Sequence, residues 1–149
     1  ESTSTRILLV DDSPSIIKMT VMLLKKHGYH VTTATNGAMA LDIIQAEQQR
    51  TGKAVVFDAV LMDLQMPVMD GIEAVKRLRA LEKSFQPLDA VANGALKDRN
   101  RKHFVFGLSA NSDTTVGAQT KEAGFDSFLA KPFQIEVFRR LLSEHVAVE

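Results

Sequence analysis

The chain contains no cysteine among its 149 residues. Without thiols it cannot build a disulfide scaffold, a zinc site of thiolate ligands or a cysteine nucleophile. It also lacks an excess of charge of either sign, because 18 lysine and arginine residues balance 18 aspartate and glutamate residues. A balanced charge gives no reason to expect binding to nucleic acid or to an anionic membrane surface.

Long apolar runs are missing as well. No stretch approaches the roughly 20 residues that a bilayer-spanning helix needs. The first residues are polar and unlike a secretory signal, so residues 1–5 are interpreted as a linker or tail. We therefore expect a cytoplasmic domain that makes no membrane contact of its own, whether or not a parent protein is anchored in a membrane.

Short apolar runs alternate with stretches of helical periodicity over residues 6–146, which we interpret as one domain. The predicted strands cover 6–10, 31–35, 55–62, 104–108 and 127–130. The predicted helices cover 14–27, 38–47, 71–81, 114–123 and 134–145. Strands that are apolar on both faces are typical of a sheet covered by helices on both sides. The alternation predicts an α/β fold with a doubly wound parallel sheet.

The first helix carries the clearest boundary signals. Ser13 can cap it, Pro14 fits its first position, and Gly28 can end it. In the same way, Asp70 is the predicted cap of the third helix. Helical spacing predicts that one stripe of the first helix is buried: Ile16, Met19, Leu23 and Leu24.

One segment, at about 82–102, is too long for a connection between a helix and a strand. It carries the basic residues Lys97, Arg99, Arg101 and Lys102. A solvated insertion is the simpler interpretation. The alternative is a contact surface for a partner or a neighbouring domain.

Polar residues follow the predicted strands at the edge where ligands bind in such sheets. Asp11 and Asp12 follow the first strand, and Asp63 follows the third. Ser109 and Lys131 follow the fourth and fifth. Each residue alone has an ordinary explanation, such as a helix cap or a surface charge, but together at one edge they point to a site.

Clustered carboxylates repel one another, and Mg2+ would relieve the repulsion. Asp63 could then act as both metal ligand and nucleophile, because an aspartate can form an acyl phosphate. The metal and Lys131 would offset the charge of the incoming phosphoryl group, and Ser109 could donate a hydrogen bond to it.

Four motifs occur in order along the chain: Leu-Val-Asp-Asp at 9–12, Met-Asp-Leu-Gln-Met-Pro-Val-Met-Asp-Gly at 62–71, Leu-Ser-Ala at 108–110 and Lys-Pro-Phe at 131–133. With these motifs the chain resembles the receiver domains of two-component signalling. The segment Leu-Ser-Ala-Asn-Ser at 108–112 is most similar to receivers of hybrid histidine kinases. The resemblance implies a flavodoxin-like sheet of five strands in the order 2-1-3-4-5, with five helices.

The resemblance also implies roles for the residues at the strand ends. Asp63 is the expected phosphoacceptor, and Lys131 the expected phosphate-binding residue. Mg2+ is expected on Asp12, Asp63 and the backbone carbonyl of Gln65, with Asp11 acting mainly through water. The Lys131-Pro132 bond is expected to be cis, which is permissible because residue 132 is proline.

Further roles concern switching and phosphoryl lifetime. Ser109 and Phe128 occupy the switch positions, although tyrosine is frequent where this chain has Phe128. Phosphorylation is expected to shift residues 109–123 and to turn Phe128 inward, because Thr114, Thr115 and Gly117 lower the helix propensity of that segment. Core packing is the competing account of Phe128. Gln65 and Asn111 are expected to tune how long the phosphoryl group persists.

The implied function is a Mg2+-dependent phosphoacceptor that takes a phosphoryl group from a phosphohistidine onto Asp63 and hydrolyses it slowly, rather than a dedicated enzyme. The expected partner is a histidine kinase or a histidine phosphotransfer domain. An apolar rim for docking is also predicted, formed by Pro14, Ile17, Met66 and Phe133. Core packing is the alternative explanation for Ile17 and Phe133.

Other interpretations remain open from the sequence. The domain could belong to a hybrid histidine kinase, stand alone as a single-domain response regulator, or come from a response regulator with an output domain. A more distant alternative is a phosphatase of the haloacid-dehalogenase type, which also uses an aspartyl nucleophile. The Asp-x-Asp pattern of those enzymes fails here, because position 13 is serine.

Overall fold

The computed structural model describes residues 5–64, 66, 69–85, 102–109, 122–130 and 134–148. Residues 145–148 are described by their backbone alone. The strands are β1 (Arg6–Val10), β2 (His30–Ala34), β3 (Ala59–Asp63), β4 (Val105–Ser109) and β5 (Ser127–Ala130). The helices are α1 (Pro14–Lys26), α2 (Gly37–Thr51), α3 (Gly71–Ser84) and α4 (Ile135–Val148).

All five strands form one parallel sheet in the order β2-β1-β3-β4-β5. This confirms the predicted doubly wound fold. Val10 of β1 pairs with Met62 of β3, so these two central strands end side by side. The residues that follow them are therefore neighbours at the carboxyl edge of the sheet.

The core consists of two apolar layers, one on each face of the sheet. Alternate residues of a strand point to opposite faces: Leu8 and Val10 belong to one layer, and Ile7 and Leu9 to the other. Residues of α2 and α3 complete the first layer, while residues of α1 and α4 complete the second. Burial on both faces explains why the strands are continuously apolar in sequence.

Short polar side chains begin the helices at the carboxyl edge. The Ser13 hydroxyl accepts a hydrogen bond from the Ile16 N–H (3.4 Å) and caps α1. Asp70 accepts from the Glu73 N–H (2.9 Å) and caps α3. Both caps agree with the sequence prediction. Each fixes where the chain turns from a strand end into the next helix.

The third strand is shorter than predicted, because residues 55–58 lie outside the ladder. The Val56 N–H donates to the ring Nε2 of His103 (3.1 Å) instead of a neighbouring strand. Asp58 forms hydrogen bonds to the backbone of Arg6, through its N–H to the Arg6 carbonyl (2.8 Å) and through Oδ2 from the Arg6 N–H (2.7 Å). Apolar residues here are buried without being strand residues.

Two helices differ from their predictions in ways that burial explains. Helix α2 continues to Thr51, where Gly52 takes a left-handed backbone (φ 73°) that ends it. In α1, Met19 was expected in the buried stripe but is 65% exposed. Thr20 and Leu24 face the sheet instead, which turns Met19 toward solvent.

The predicted insertion starts later than expected, since α3 continues through Glu82 to Ser84. Residues 86–101, with Lys97, Arg99 and Arg101, lie outside the described residues. Most of the fourth predicted helix does too, although its last two residues, Glu122 and Ala123, are helical. Four helices are thus described in full, against five expected.

Candidate functional site

Three carboxylates meet at the carboxyl edge of the sheet. Asp11 and Asp12 follow β1, and Asp63 is the last residue of β3. One carboxylate oxygen from each lies within 4.8 Å of the other two. Asp11 is fully buried and Asp63 is 5% exposed, whereas Asp12 faces solvent. The cluster can therefore be reached from one side while the sheet holds it from the other.

The backbone and side chain of Asp11 are fixed by the turn into α1. Its N–H donates to the carbonyl of Ala34 on β2 (3.1 Å). Its Oδ1 accepts from the N–H of Ser13 (2.9 Å). Because Ser13 also caps α1, the helix start and the buried carboxylate share one rigid turn.

The backbone around Asp63 is held equally closely. Leu64 donates from its N–H to the Leu108 carbonyl of β4 (3.1 Å), and Gly71 donates to the Leu64 carbonyl (3.2 Å). A Cβ atom at Gly71 would collide with the carbonyl oxygen of Asp63 and lie 3.0 Å from the Leu64 Cα. Glycine at 71 therefore lets the first turn of α3 approach the acceptor residue. This role was not expected from the sequence, although the Asp70-Gly71 pair marks the position.

Like charges this close are unfavourable. Two carboxylates whose oxygens lie within 4.8 Å of each other repel by roughly 3 kcal/mol or more at an effective dielectric constant near 20. A divalent cation would convert that repulsion into attraction, and a set of carboxylate oxygens suits a hard cation such as Mg2+. The donor set therefore fits the metal that the sequence suggested.

Of the remaining predicted site residues, the structure describes Ser109 and Phe128. Ser109 ends β4 next to Leu108, the register partner of Asp63, and pairs with Ala130 of β5. Phe128 lies on β5 and is 42% exposed. Four other candidates lie outside the described residues: Gln65, Asn111, Lys131 and Phe133.

The predicted apolar rim is only partly present. Pro14 is exposed beside the cluster, and Ile17 packs partly buried against the second core layer. Met66 is a correction, since it is buried in the first core layer. Helix α1 instead exposes two apolar residues, Met19 and Met22, which were not expected because helical spacing alone does not give the rotation of a helix.

Comparison with known proteins decides the family. The family model of the response regulator receiver domain matches residues 7–101 of the chain. The chain belongs to this family. The matched residues include the acidic cluster of Asp11, Asp12 and Asp63.

Several curated relatives of this receiver are histidine kinases. It is 34% identical to hybrid signal transduction histidine kinase E of Dictyostelium discoideum over 130 residues, which are 86% of the chain and 6% of that kinase. The receiver spans between 6% and 16% of the lengths of the first curated kinases that it matches.

Solved structures of receivers are similar to this chain as well. A sensor histidine kinase receiver from Pseudomonas aeruginosa, with magnesium coordinated in its active-site cleft, is 30% identical with a TM-score of 0.68, covering 95% of this chain and 96% of that one. A Saccharomyces cerevisiae receiver, crystallised with a histidine phosphotransfer protein, has a TM-score of 0.73 at 24% identity, covering 95% and 88%. The second likeness concerns the fold alone.

None of the helices in the described part of the receiver is long and apolar enough to cross a membrane.

Proposed function

We propose that this receiver accepts a phosphoryl group on Asp63 from a phosphohistidine, in a step that requires Mg2+. The observation that supports the proposal best is the cluster of Asp11, Asp12 and Asp63, whose oxygens lie within 4.8 Å of one another in a chain of the receiver family. Asp63 is the member followed by a residue, Leu64, whose backbone is hydrogen-bonded to both β4 and α3.

The chemistry is a displacement at phosphorus. A carboxylate oxygen of Asp63 attacks the phosphoryl group, the bond from phosphorus to the donor's imidazole nitrogen breaks, and the imidazole keeps the electron pair and takes up a proton. Asp12 and Asp63 would hold Mg2+ directly with the Gln65 carbonyl, and Asp11 through water. When bound, the metal offsets negative charge on the transferring oxygens. Lys131 and the Ser109 hydroxyl would hold the phosphoryl oxygens, and the Gln65 and Asn111 amides would set the rate of hydrolysis.

The donor is proposed to be a histidine kinase or a histidine phosphotransfer domain. Similarity to a hybrid histidine kinase and to the receiver of a sensor histidine kinase supports a place in a hybrid kinase. A single-domain regulator and a regulator with an output domain remain the competing architectures, because the receiver matches only a small part of its kinase relatives. Residues 1–5 would then be a linker or tail, and 6–146 the receiver with its insertion.

Phosphorylation is proposed to act as a switch. A phosphoryl group adds about 1.5–2 negative charges at neutral pH, together with new hydrogen-bond acceptors. Ser109 and Lys131 would follow that charge, which shifts residues 109–123 and turns Phe128 inward.

Labelling with acetyl phosphate tests the acceptor. The receiver should become phosphorylated in the presence of Mg2+, and Asp63→Asn should abolish labelling. Asp42→Asn is the matched control, since Asp42 is an exposed aspartate on α2. Mass spectrometry that locates the phosphoryl group on another side chain would refute the proposal. Turnover of a phosphate ester would favour the aspartyl phosphatase instead.

A further inference from the structure

Gly107 lies inside β4, at a position where glycine needs an explanation. It is buried between strands β3 and β5. Glycine weakens a strand interior because it offers no side chain to pack, and it often marks a close approach by another group. The neighbours of Gly107 show which group approaches.

Two aromatic rings occupy the space that a side chain at 107 would fill. A Cβ atom on Gly107 would lie 2.8 and 2.9 Å from Cδ1 and Cε1 of Phe128, and 3.0 Å from Cδ2 of Phe125. These distances are shorter than carbon atoms normally approach one another. Alanine at this position would therefore force at least one ring to move.

The two rings are held very differently. Phe125 is 6% exposed and belongs to the first core layer. Phe128 stacks on it, with centroids 5.6 Å apart and ring planes 24° apart, yet Phe128 is 42% exposed. Phe128 is thus the ring that can leave without opening the core. We call the space over Gly107 beside Phe125 the ring seat.

The ring seat lies next to the switch hydroxyl. Gly107 pairs with Phe128 in the sheet, and Ser109 pairs with Ala130. Because side chains on a strand alternate between faces, Gly107 and Ser109 lie on the same face of β4, two residues apart. A movement of Ser109 toward a phosphoryl group on Asp63 therefore takes place in the strand that forms the floor of the seat.

We propose that Gly107 is a positioning residue for the switch: it provides the seat for the Phe128 ring, and a seated ring favours the position of Ser109 beside phosphorylated Asp63. This inference rests on the proposed function. Linkage makes the effect reciprocal, so phosphorylation strengthens seating by the same factor by which seating strengthens the phosphorylated state. Simple crowding, in which Gly107 only avoids a clash in the core, is the competing explanation.

Substitution of Gly107 by alanine tests the seat in the unmodified receiver. Gly107→Ala should abolish the nuclear Overhauser contacts between the Phe125 and Phe128 rings and move the Phe128 ring resonances toward those of a solvent-exposed ring. Gly37→Ala is the matched control: its Cβ would lie 2.8 Å from the Ala74 Cβ, a similar crowding away from any ring. Ring contacts that persist in Gly107→Ala would overturn the seat.

Titration with beryllofluoride and Mg2+ tests the link to the switch. Gly107→Ala should weaken the apparent beryllofluoride affinity roughly fivefold or more, as allosteric couplings usually do. In a Phe128→Ala background, Gly107→Ala should cause no further loss. An equal loss in both backgrounds would show simple crowding and refute the role of the ring.

Two further outcomes separate this inference from the proposed function. If Gly107→Ala does not fold, the wild type decides, since beryllofluoride should shift the Phe128 ring resonances; unchanged resonances with bound beryllofluoride would overturn the link. If beryllofluoride and acetyl phosphate both leave every resonance around Asp63 unchanged, the acceptor function fails and the link fails with it. The ring contacts in Gly107→Ala would then still decide the seat alone.

Discussion

His103 is fully buried, and its ring connects two segments that the sequence did not join. Nε2 accepts a hydrogen bond from the Val56 N–H (3.1 Å), so the proton of the neutral ring sits on Nδ1, 2.7 Å from Oε2 of Glu82. Glu82 also accepts from the His103 N–H (2.6 Å) and from Arg79 (3.0 Å). Glu82 was expected at the start of an insertion, because the segment to residue 102 is too long for a simple connection. Its burial is explained by Arg79 and by the distant His103.

Stability below neutral pH should depend on Glu82. Burial opposes its ionisation, but the hydrogen bond from His103 and the charge of Arg79 outweigh burial and hold the pKa of Glu82 below its ordinary value of 4.5. Ionised Glu82 therefore stabilises the fold above pH 4.5, and the contribution is lost as the pH falls through the lowered pKa. Denaturation with urea at a series of pH values should show this loss, and Glu82→Gln should flatten it.

At neutral pH, Glu82→Gln should lower the free energy of unfolding by roughly 2–4 kcal/mol, because Arg79 loses a buried partner. Glu73→Gln is the control, since Glu73 pairs with Arg77 on the exposed side of the same helix (2.8 Å), and such pairs contribute below about 1 kcal/mol. Equal losses in the two variants would contradict a special role for the buried carboxylate.

At the scale of elements, periodicity and turn residues were sufficient to find the five strands and the four helices that the structure describes in full. The errors have local causes. The apolar residues 55–58 resemble a strand because they are buried, yet Val56 donates to a histidine ring rather than to a neighbouring strand. Met19 matched the helical spacing, but the rotation of α1 is set by tertiary packing.

The outer face of α1 should contribute to donor recognition. Met19 and Met22 are 65% and 64% exposed, and exposed apolar patches commonly mark protein contacts. Met22→Glu should slow phosphotransfer from a phosphorylated histidine phosphotransfer protein roughly tenfold, which corresponds to about 1.4 kcal/mol, and leave labelling by acetyl phosphate unchanged. Met39→Glu on α2, also an exposed methionine (42%), is the control. Slowing of both reactions by Met22→Glu would indicate damage to the site instead of lost docking.

At the scale of the whole molecule, the sequence located the acidic cluster because parallel strands bring their carboxyl ends together. It did not indicate that Asp11 is buried while Asp12 is exposed, since burial depends on the turn through Ser13. It also did not indicate the ring seat at Gly107, because that glycine has meaning only beside Phe125 and Phe128, which are distant in sequence.

Magnesium should stabilise the entire fold, because it relieves repulsion that exists only when the three carboxylates are assembled. A ligand that binds only the folded state adds about 2.7 kcal/mol when its free concentration is about one hundred times Kd. Thermal unfolding in MgCl2, compared with KCl of equal ionic strength, should show a higher midpoint that a chelator reverses. Asp12→Asn should reduce the increase. A midpoint that does not respond to Mg2+ would contradict the metal site.

The hydrogen bonds between Glu82 and His103 join the described residues that come before and after residues 86–101. Both residues lie before β4, whereas the carboxylates lie beyond the opposite end of the strands, roughly 15 Å away along the five residues of β4. We therefore expect an insertion within residues 86–101 to leave the carboxylate cluster at the other end of the sheet undisturbed.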